Sequence, residues 1–295
     1  MKFSNRDDII QLTPLWTGER FDDGRPRVPD GILTRMEKAA TEEAWKVLWT
    51  KEYKYQFEPD WKVMHPDRIL VGRAVTAVFV PTRPDLHDCL MEYGHEKEGR
   101  IGMMNSWVIE TLVQDDVIVV DLFGKIRQGT FSGGNLSTAI ATRTGRGQVI
   151  YGGIRDVQQI KGIRNLQTFY KGNDPTGIRD VTMIGMNVPC RIGGAVCLPG
   201  DVVLGTPAGI LFIPPHLAEE CVLNSERTRL REIFGLQRLR ERVYTSAQMD
   251  TQWAEEIEAD FAEWRRSNAP EEFKHLKWDE ETETEKGQSG QETLL

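Results

Sequence analysis

The sequence has little cysteine and no surplus of positive charge. Four cysteines occur in 295 residues, Cys89, Cys190, Cys197 and Cys221. None forms a C-x-x-C pair, so no zinc-site spacing and no disulfide framework is present. Cys190 and Cys197 lie in apolar surroundings and read as small, reduced, buried hydrophobes. Lys and Arg number 37 against 45 Asp and Glu, for a formal net charge of -8. That balance argues against nucleic acid, which needs a basic field, and against anionic membrane surfaces. No apolar run reaches the roughly 18 residues a membrane helix requires. The opening "MKFSNRDDIIQLTPLW" has no apolar core of signal-peptide type. The expectation is a cytoplasmic protein with neither nucleic-acid nor membrane partner.

The rest of the chain supports an α/β reading. Residues 1–29 are polar and punctuated by Pro and Gly, an irregular arm expected to pack on another surface. Asp30 is placed to cap one helix over "GILTRMEKAATEEAWKVLW", whose Ile32, Leu33, Met36, Ala40, Ala44, Val47 and Leu48 keep helical spacing. The aromatics of "TKEYKYQFEPDW" read as packing anchors. "ILVGRAVTAVFV" is a strand with Gly72 as a possible bulge. A helical piece follows, then a short helix and the strand "VIVV" ending at Asp121. "LSTAIATRTG" is a helix stopped by Gly145, and "QVIY" is a buried strand. "VPCRIGGAVCLPGDVVLGTPAGILFIPP" breaks into short strands. Residues 30–215 therefore read as an α/β domain with a mixed sheet. Residues 216–268 form a charged helical extension, with Ile233, Leu236, Leu239 and Val243 as its apolar stripe. Residues 269–295 read as an acidic, disordered tail.

Two segments carry candidate chemistry. In "VVDLFGKIRQGTFSGGNLS" a strand, a glycine-rich loop and a helix start follow one another. Gly133 and Gly134 let the backbone approach a ligand. The amides up to Asn135 and Leu136 offer donors at a positive helix end. The bland alternative is a plain connection with Asn135 as N-cap. In "QVIYGGIRDVQQI" a strand ends at Gly152-Gly153, and Arg155 and Asp156 open the next helix. Arg155 has the planar fork that suits a carboxylate. Asp156 suits a divalent cation or a proton. Equally, Asp156 and Gln159 form a capping-box pattern, and both readings stand.

Taken in order, "LVGRAVTAVFVPTRPD", "DDVIVVDLFGKIRQGTFSGGNLSTAIATRTGRGQVIYGGIRDV" and "VPCRIGGAVCLPGDVVLGTPAGILFIP" resemble the RraA-like family. That family joins the regulator of ribonuclease E activity A with metal-dependent 4-hydroxy-4-methyl-2-oxoglutarate/4-carboxy-4-hydroxy-2-oxoadipate aldolases. The resemblance spans about 30–215 and implies a central mixed sheet flanked by helices, with the C-terminal helices as an addition. It implies homotrimers or homohexamers with sites at subunit interfaces. It also implies a lyase of aldolase or decarboxylase type acting on a small 2-oxo or hydroxy acid, sugar-derived acids included. Arg155 would clamp the acid, Asp156 would hold Mg²⁺ or Mn²⁺, and Gly133, Gly134, Asn135 and Leu136 would supply amides.

The chain departs from the aldolase pattern. Spacing back from the Arg-Asp pair puts the family's loop acid at Gly134, or at Asn135 with one deletion in "RTGRGQV". Thr206 stands where another acid is usual. Asp121, Glu92, His95 and Glu96 are candidate replacements and Lys125 a candidate cation. His87 and Asp88 lie on the same segment, which also reads as a solvated helix face. Arg179-Asp180 lacks a strand-Gly-Gly entry and reads as a surface or interface pair. A non-catalytic, partner-binding protein is the alternative function. A third reading is another reaction of the same site, dehydration or hydrolysis of an oxidised sugar.

Overall fold

A computed structural model describes residues 3–278. The chain divides after Val222 into two units, and each is taken by itself.

The first unit is built on a mixed sheet. Strands β1 (Phe57–Glu58), β2 (Lys62–Val63), β3 (Leu70–Pro81), β4 (Asp116–Asp121), β5 (Gly147–Ile154), β6 (Gln167–Asn173), β7 (Val181–Met186), β8 (Cys190–Ile192), β9 (Ala195–Cys197), β10 (Val202–Thr206) and β11 (Gly209–Ile213) follow along the chain. The main sheet runs β1-β11-β10-β3-β4-β5-β6-β2. Strands β3 to β6 are parallel, and β1, β2, β10 and β11 are antiparallel to their neighbours. The length of β3 lets one edge serve two partners. Leu70 to Arg73 pair with β10, and Ala77 to Pro81 pair with β7. The strands β8 and β9 form a separate hairpin.

Both faces of the parallel strands are covered, which is why β4 carries the unbroken apolar run Val117 to Val120, while β6 opens on the buried polar residues Gln167 and Thr168. On β4, Ile118 and Val120 face a core shared with Trp107, Val108, Ile140 and Ile160. The helices here are α1 (Arg6–Leu12), α2 (Asp30–Met36), α3 (Thr41–Thr50), α4 (Pro84–Glu92), α5 (Met104–Ile109), α6 (Gly134–Thr144) and α7 (Val157–Gly162), and these four side chains come from α5, α6 and α7. Val117 and Val119 face the β8-β9 hairpin through Ile192, Ala195 and Cys197. A third cluster sets Leu33, Met36, Val47 and Leu48 against Val202, Leu204, Leu211 and Ile213.

The arm contains a helix of its own, Arg6–Leu12, and belongs to this core. Arg25 is buried and meets the buried Asp116 through two hydrogen bonds of 2.8 and 3.2 Å. Asp23 holds Arg25 from the other side at 2.6 Å.

Several expectations need correction. The helix anticipated from residue 30 is two, Asp30–Met36 and Thr41–Thr50, and the N-cap of the first is Pro29. Asp30 pairs instead with Arg73. Gly72 is regular strand. A Cβ there would lie 2.6 Å from the Asp115 carbonyl oxygen, so close strand approach explains the glycine. The bulge falls at Val78/Phe79. Gly145 does end α6, in the left-handed region at φ 66°.

The second unit is helical: the continuation of α8 (Ala218–Arg240), α9 (Ser246–Met249) and α10 (Glu255–Asn268). Its core is Leu230, Phe234, Ile257, Phe261 and Trp264. The expected stripe does not form this core: Ile233 and Leu236 are exposed on α8, Leu239 is half-buried, and Val243, also exposed, lies past the end of that helix. Residues 269–278, assigned to the tail, fold instead. Glu271–Phe273 make a 3-10 turn, and Phe273 and Leu276 are buried in the helical core. The rest of the anticipated tail, 279–295, lies outside the described residues.

Candidate active site

The parallel strands end together. Asp121 closes β4 beside Tyr151 of β5, and Ile154 closes β5 beside Asn173 of β6. Ligands of open α/β sheets gather at such carboxyl ends. The loop after β4 returns across β5 with backbone bonds in register. Gly153 N–H donates to the Lys125 carbonyl at 2.8 Å, Phe131 N–H to the Gly153 carbonyl at 2.9 Å, and Arg155 N–H to the Ser132 carbonyl at 2.9 Å. A buried polar network underpins the turn. Ser132 Oγ donates to Gln148 Oε1 at 3.0 Å, and Gln148 Nε2 donates to Ser137 Oγ and Thr168 Oγ1, each at 3.1 Å. Asn105 Nδ2 donates to the Phe131 carbonyl at 2.7 Å. Satisfied buried networks of this kind fix one geometry.

The turn and the Arg-Asp pair meet directly. Gly134 N–H donates to Asp156 Oδ2 at 3.0 Å, and Arg155 Nε lies 3.8 Å from the same oxygen. A Cβ on Gly133 would collide with Asp156 Oδ2 and lie 2.8 Å from Arg155 Nε. Gly133 has φ -124°, so this glycine is required by close approach and not by backbone conformation. A Cβ on Gly134 would collide with Gln159 Oε1.

Helix α6 starts at Gly134 with Gly133 as N-cap, which replaces the anticipated Asn135 cap. Its first intrahelical bond runs from Ser137 N–H to the Gly133 carbonyl, 3.0 Å. The amides of Asn135 and Leu136 precede it and have no intrahelical acceptor. Asn135 is exposed and Leu136 half-buried. Of the four residues expected to offer amides, Gly134 has already committed its N–H to Asp156.

Asp156 is the N-cap of α7, yet its side chain makes no cap hydrogen bond. Its backbone sits in the left-handed region at φ 55°. A non-glycine residue held there, with its carboxylate turned away from its own helix, is a local cost. The capping-box alternative is not formed.

Other candidates fall into place around this centre or away from it. Asp121 is half-buried and accepts the Phe123 N–H at 2.8 Å. Burial pushes its carboxyl above the usual range, and the Phe123 N–H and Arg191 partly oppose this. His95 contacts the Gly102 carbonyl at 3.2 Å and packs edge-on against Trp107. Glu92, His95 and Glu96 are exposed. Thr206 is buried and bonded to Thr41 Oγ1 at 2.7 Å. It lies beyond Gly205, which pairs with Leu70 at the opposite end of the sheet from Asp121. Arg179 Nε meets Asp180 Oδ2 at 3.1 Å, and both side chains are exposed.

The donor set suits a hard divalent cation only in part. Mg²⁺ takes one or two carboxylates and keeps several waters, and Asp156 can supply one such carboxylate. Among the described residues no group of three or more His, Cys, Asp or Glu side chains converges on a metal-sized space. Further oxygens would have to come from water or from a bound acid.

The RraA-like family model, described as Aldolase/RraA, matches residues 42–212. An uncharacterised protein of Methanocaldococcus jannaschii is 28% identical over 60% of this chain and 91% of its own. A putative 4-hydroxy-4-methyl-2-oxoglutarate aldolase of Azotobacter vinelandii is 33% identical over 37% of this chain and 66% of its own. The crystal structure of Streptomyces coelicolor RraAS2, described as an unusual member of the RNase ES inhibitor RraA protein family, shares the fold. Its TM-score is 0.60 at 22% identity, over 71% of this chain and 96% of that one.

Proposed function

The chain belongs to the RraA-like family, and on that premise we propose that it is a divalent-metal-dependent lyase acting on a small 2-oxo or hydroxy acid. The observation that carries this is the convergence of Gly133, Gly134, Arg155 and Asp156 on one point. A turn stripped of Cβ atoms beside a guanidinium and a carboxylate is poor packing and good anion recognition.

Arg155 is the clamp for the substrate carboxylate, through paired N–H donors. The N–H groups of Asn135 and Leu136 receive a second oxygen at the positive end of α6. Asp156, fixed by Gly134, is the residue that would hold Mg²⁺ or Mn²⁺. The cation would supply positive charge against the oxygen that becomes negative as the carbon-carbon bond breaks. Asp121, at the carboxyl end of β4 with its carboxyl raised by burial, is the acid assigned here to serve a proton. Aldolase or decarboxylase chemistry belongs to this reading, and assembly into trimers or hexamers in the cytoplasm is part of the proposal.

The test is Mg²⁺- or Mn²⁺-dependent decarboxylation of oxaloacetate, with calorimetric titration of oxalate. Wild type is expected to turn over the first and bind the second at millimolar or lower concentration. Arg155→Ala should abolish turnover with the assembly intact. Unchanged kinetics in Arg155→Ala would refute the assignment. One observation favours a second reading, a non-catalytic protein that binds a partner: Gly134 and Asn135 provide no acid. Silence of the wild type toward both metal and oxalate would establish that reading instead.

A further inference from the structure

A cavity of about 250 Å³ lies beside the segment that follows Gly177. It is lined by Thr82, His87, Met103, Met104, Ile178, Arg179, Asp180 and Val181. A Cβ on Gly177 would lie 4.0 Å from Arg155 Cζ, and the next two residues, Ile178 and Arg179, line the cavity.

Its lining is divided by chemistry. Met103, Met104, Ile178 and Val181 make an apolar wall, and Met104 is buried while Met103 is half-open to solvent. Met side chains adapt to irregular ligands. The polar part of the lining includes His87 and Arg179. Nδ1 of His87 contacts Thr182 Oγ1 at 3.0 Å, which fixes the ring and leaves Nε2 as its other polar atom. Asp180 engages Arg179 at Nε. The terminal edge of the guanidinium, the one that grips a carboxylate with two parallel bonds, is not part of that contact. Asp180 itself is held at φ 56°, an uncommon place for a residue other than glycine.

We propose that this cavity is a second binding site, distinct from the Arg155 turn, for a small carboxylate with an apolar body. The carboxylate lies on the outer edge of Arg179 and beside His87, and the body lies on Met103, Met104, Ile178 and Val181. Asp180 works against the bound charge while it orients Arg179, so the site is a weak one. That opposition gives the proposal a signature that packing alone would not produce: neutralising the two members of one ion pair must move affinity in opposite directions.

The experiment uses the full chain with 3-methylbutanoate as probe, titrated by ligand-observed NMR or calorimetry. The uncharged 3-methylbutanol and the bodiless acetate serve as controls. The expected result is millimolar binding of 3-methylbutanoate and at least five-fold weaker binding of both controls. Arg179→Gln should weaken the probe at least ten-fold, and Asp180→Asn should tighten it several-fold. Both side chains are exposed, and Asn tolerates the left-handed backbone, so both variants should fold. Arg155→Ala should leave the affinity within two-fold. Loss of binding in Arg155→Ala would place the ligand in the turn and overturn the proposal. So would equal binding of the alcohol, unaltered affinity in Arg179→Gln, or no binding by wild type. A failure of oxalate binding at Arg155 would leave all of these readouts in place.

Discussion

The carboxylate of Asp156 accepts a hydrogen bond from the backbone of Gly134, 3.0 Å away and 22 residues earlier in the chain. That bond ties the start of one helix to the start of the next, at the end of the sheet where the parallel strands stop. It sets Gly133 so close to Arg155 that even a methyl group does not fit. Gly133→Ala therefore tests the site without touching a charged group. Its backbone angles suit alanine, so stability should fall by no more than about 1–2 kcal/mol, the usual range for a single substitution. Oxalate affinity should fall at least ten-fold as Arg155 and Asp156 move aside. A calorimetric titration beside a thermal melt separates the two effects. Full affinity in a well-folded variant would contradict the close approach.

Asp156→Asn is the complementary change. The amide oxygen can still accept the Gly134 N–H, and Asn is at ease in the left-handed conformation. Fold and thermal midpoint should be kept. The negative charge is gone, and a hard cation loses its one protein carboxylate. Metal-dependent oxalate binding should disappear while any metal-independent binding through Arg155 persists. Titrations with and without Mn²⁺ distinguish these contributions. Undiminished metal dependence would move the cation elsewhere.

Much of this was legible in the sequence, and what was not has identifiable causes. Strands β3, β4 and β5 announce themselves because covered faces demand continuous apolar residues. The loop and the Arg-Asp pair stand out because glycine pairs beside charges serve no core. Strand β6 is hidden because two of its buried residues are polar. Gln167 is spent on the carbonyls of His65 and Arg68, and Thr168 accepts from Gln148. No periodicity reports such bonds. The break between Met36 and Thr41 carries no Gly or Pro, and the apolar spacing runs straight through it. The meeting of Gly134 with Asp156 is a tertiary contact between two local motifs that each had a bland explanation. The turn of Asp156 away from its own helix exists only in the folded chain.

A buried acid makes a pH prediction. Asp201 is buried, and its side chain accepts the Leu198 N–H at 2.7 Å. Desolvation raises its carboxyl to about 8, with the Leu198 N–H opposing. Between the unfolded value near 3.8 and the folded value near 8, the folded chain holds one proton more than the unfolded chain. Stability from this group is then complete below the unfolded value and is lost as pH rises toward 8. Asp201→Asn removes the titration and keeps an acceptor for Leu198. Urea unfolding at pH 5, 6.5 and 8 should show the variant gaining on wild type as pH rises. The gain should be at most about 1.4 kcal/mol per pH unit. A pH-independent difference would mean that Asp201 is ionised in the folded protein.

In the helical unit the two sides of α8 make opposite predictions. Phe234 is fully buried, with ring contacts to Trp253, Phe261 and Trp264 at 5.3 to 5.6 Å. Leu236, two residues on, is half-exposed. An i, i+2 step turns a helix by more than half a circle, so the two side chains cannot share a face. Removing the Phe234 ring strips apolar contacts from a small core that has few others, and large-to-Ala changes of this kind cost about 3–5 kcal/mol. Leu236→Ala should cost about 0.5 kcal/mol, as surface changes do. Chemical unfolding followed by tryptophan fluorescence reads both, since Trp253 and Trp264 border Phe234. If Leu236→Ala destabilises as much as Phe234→Ala, the face of Ile233 and Leu236 is covered in the intact protein, and a dilution series of that variant would then show the cost rising as the covering partner dissociates.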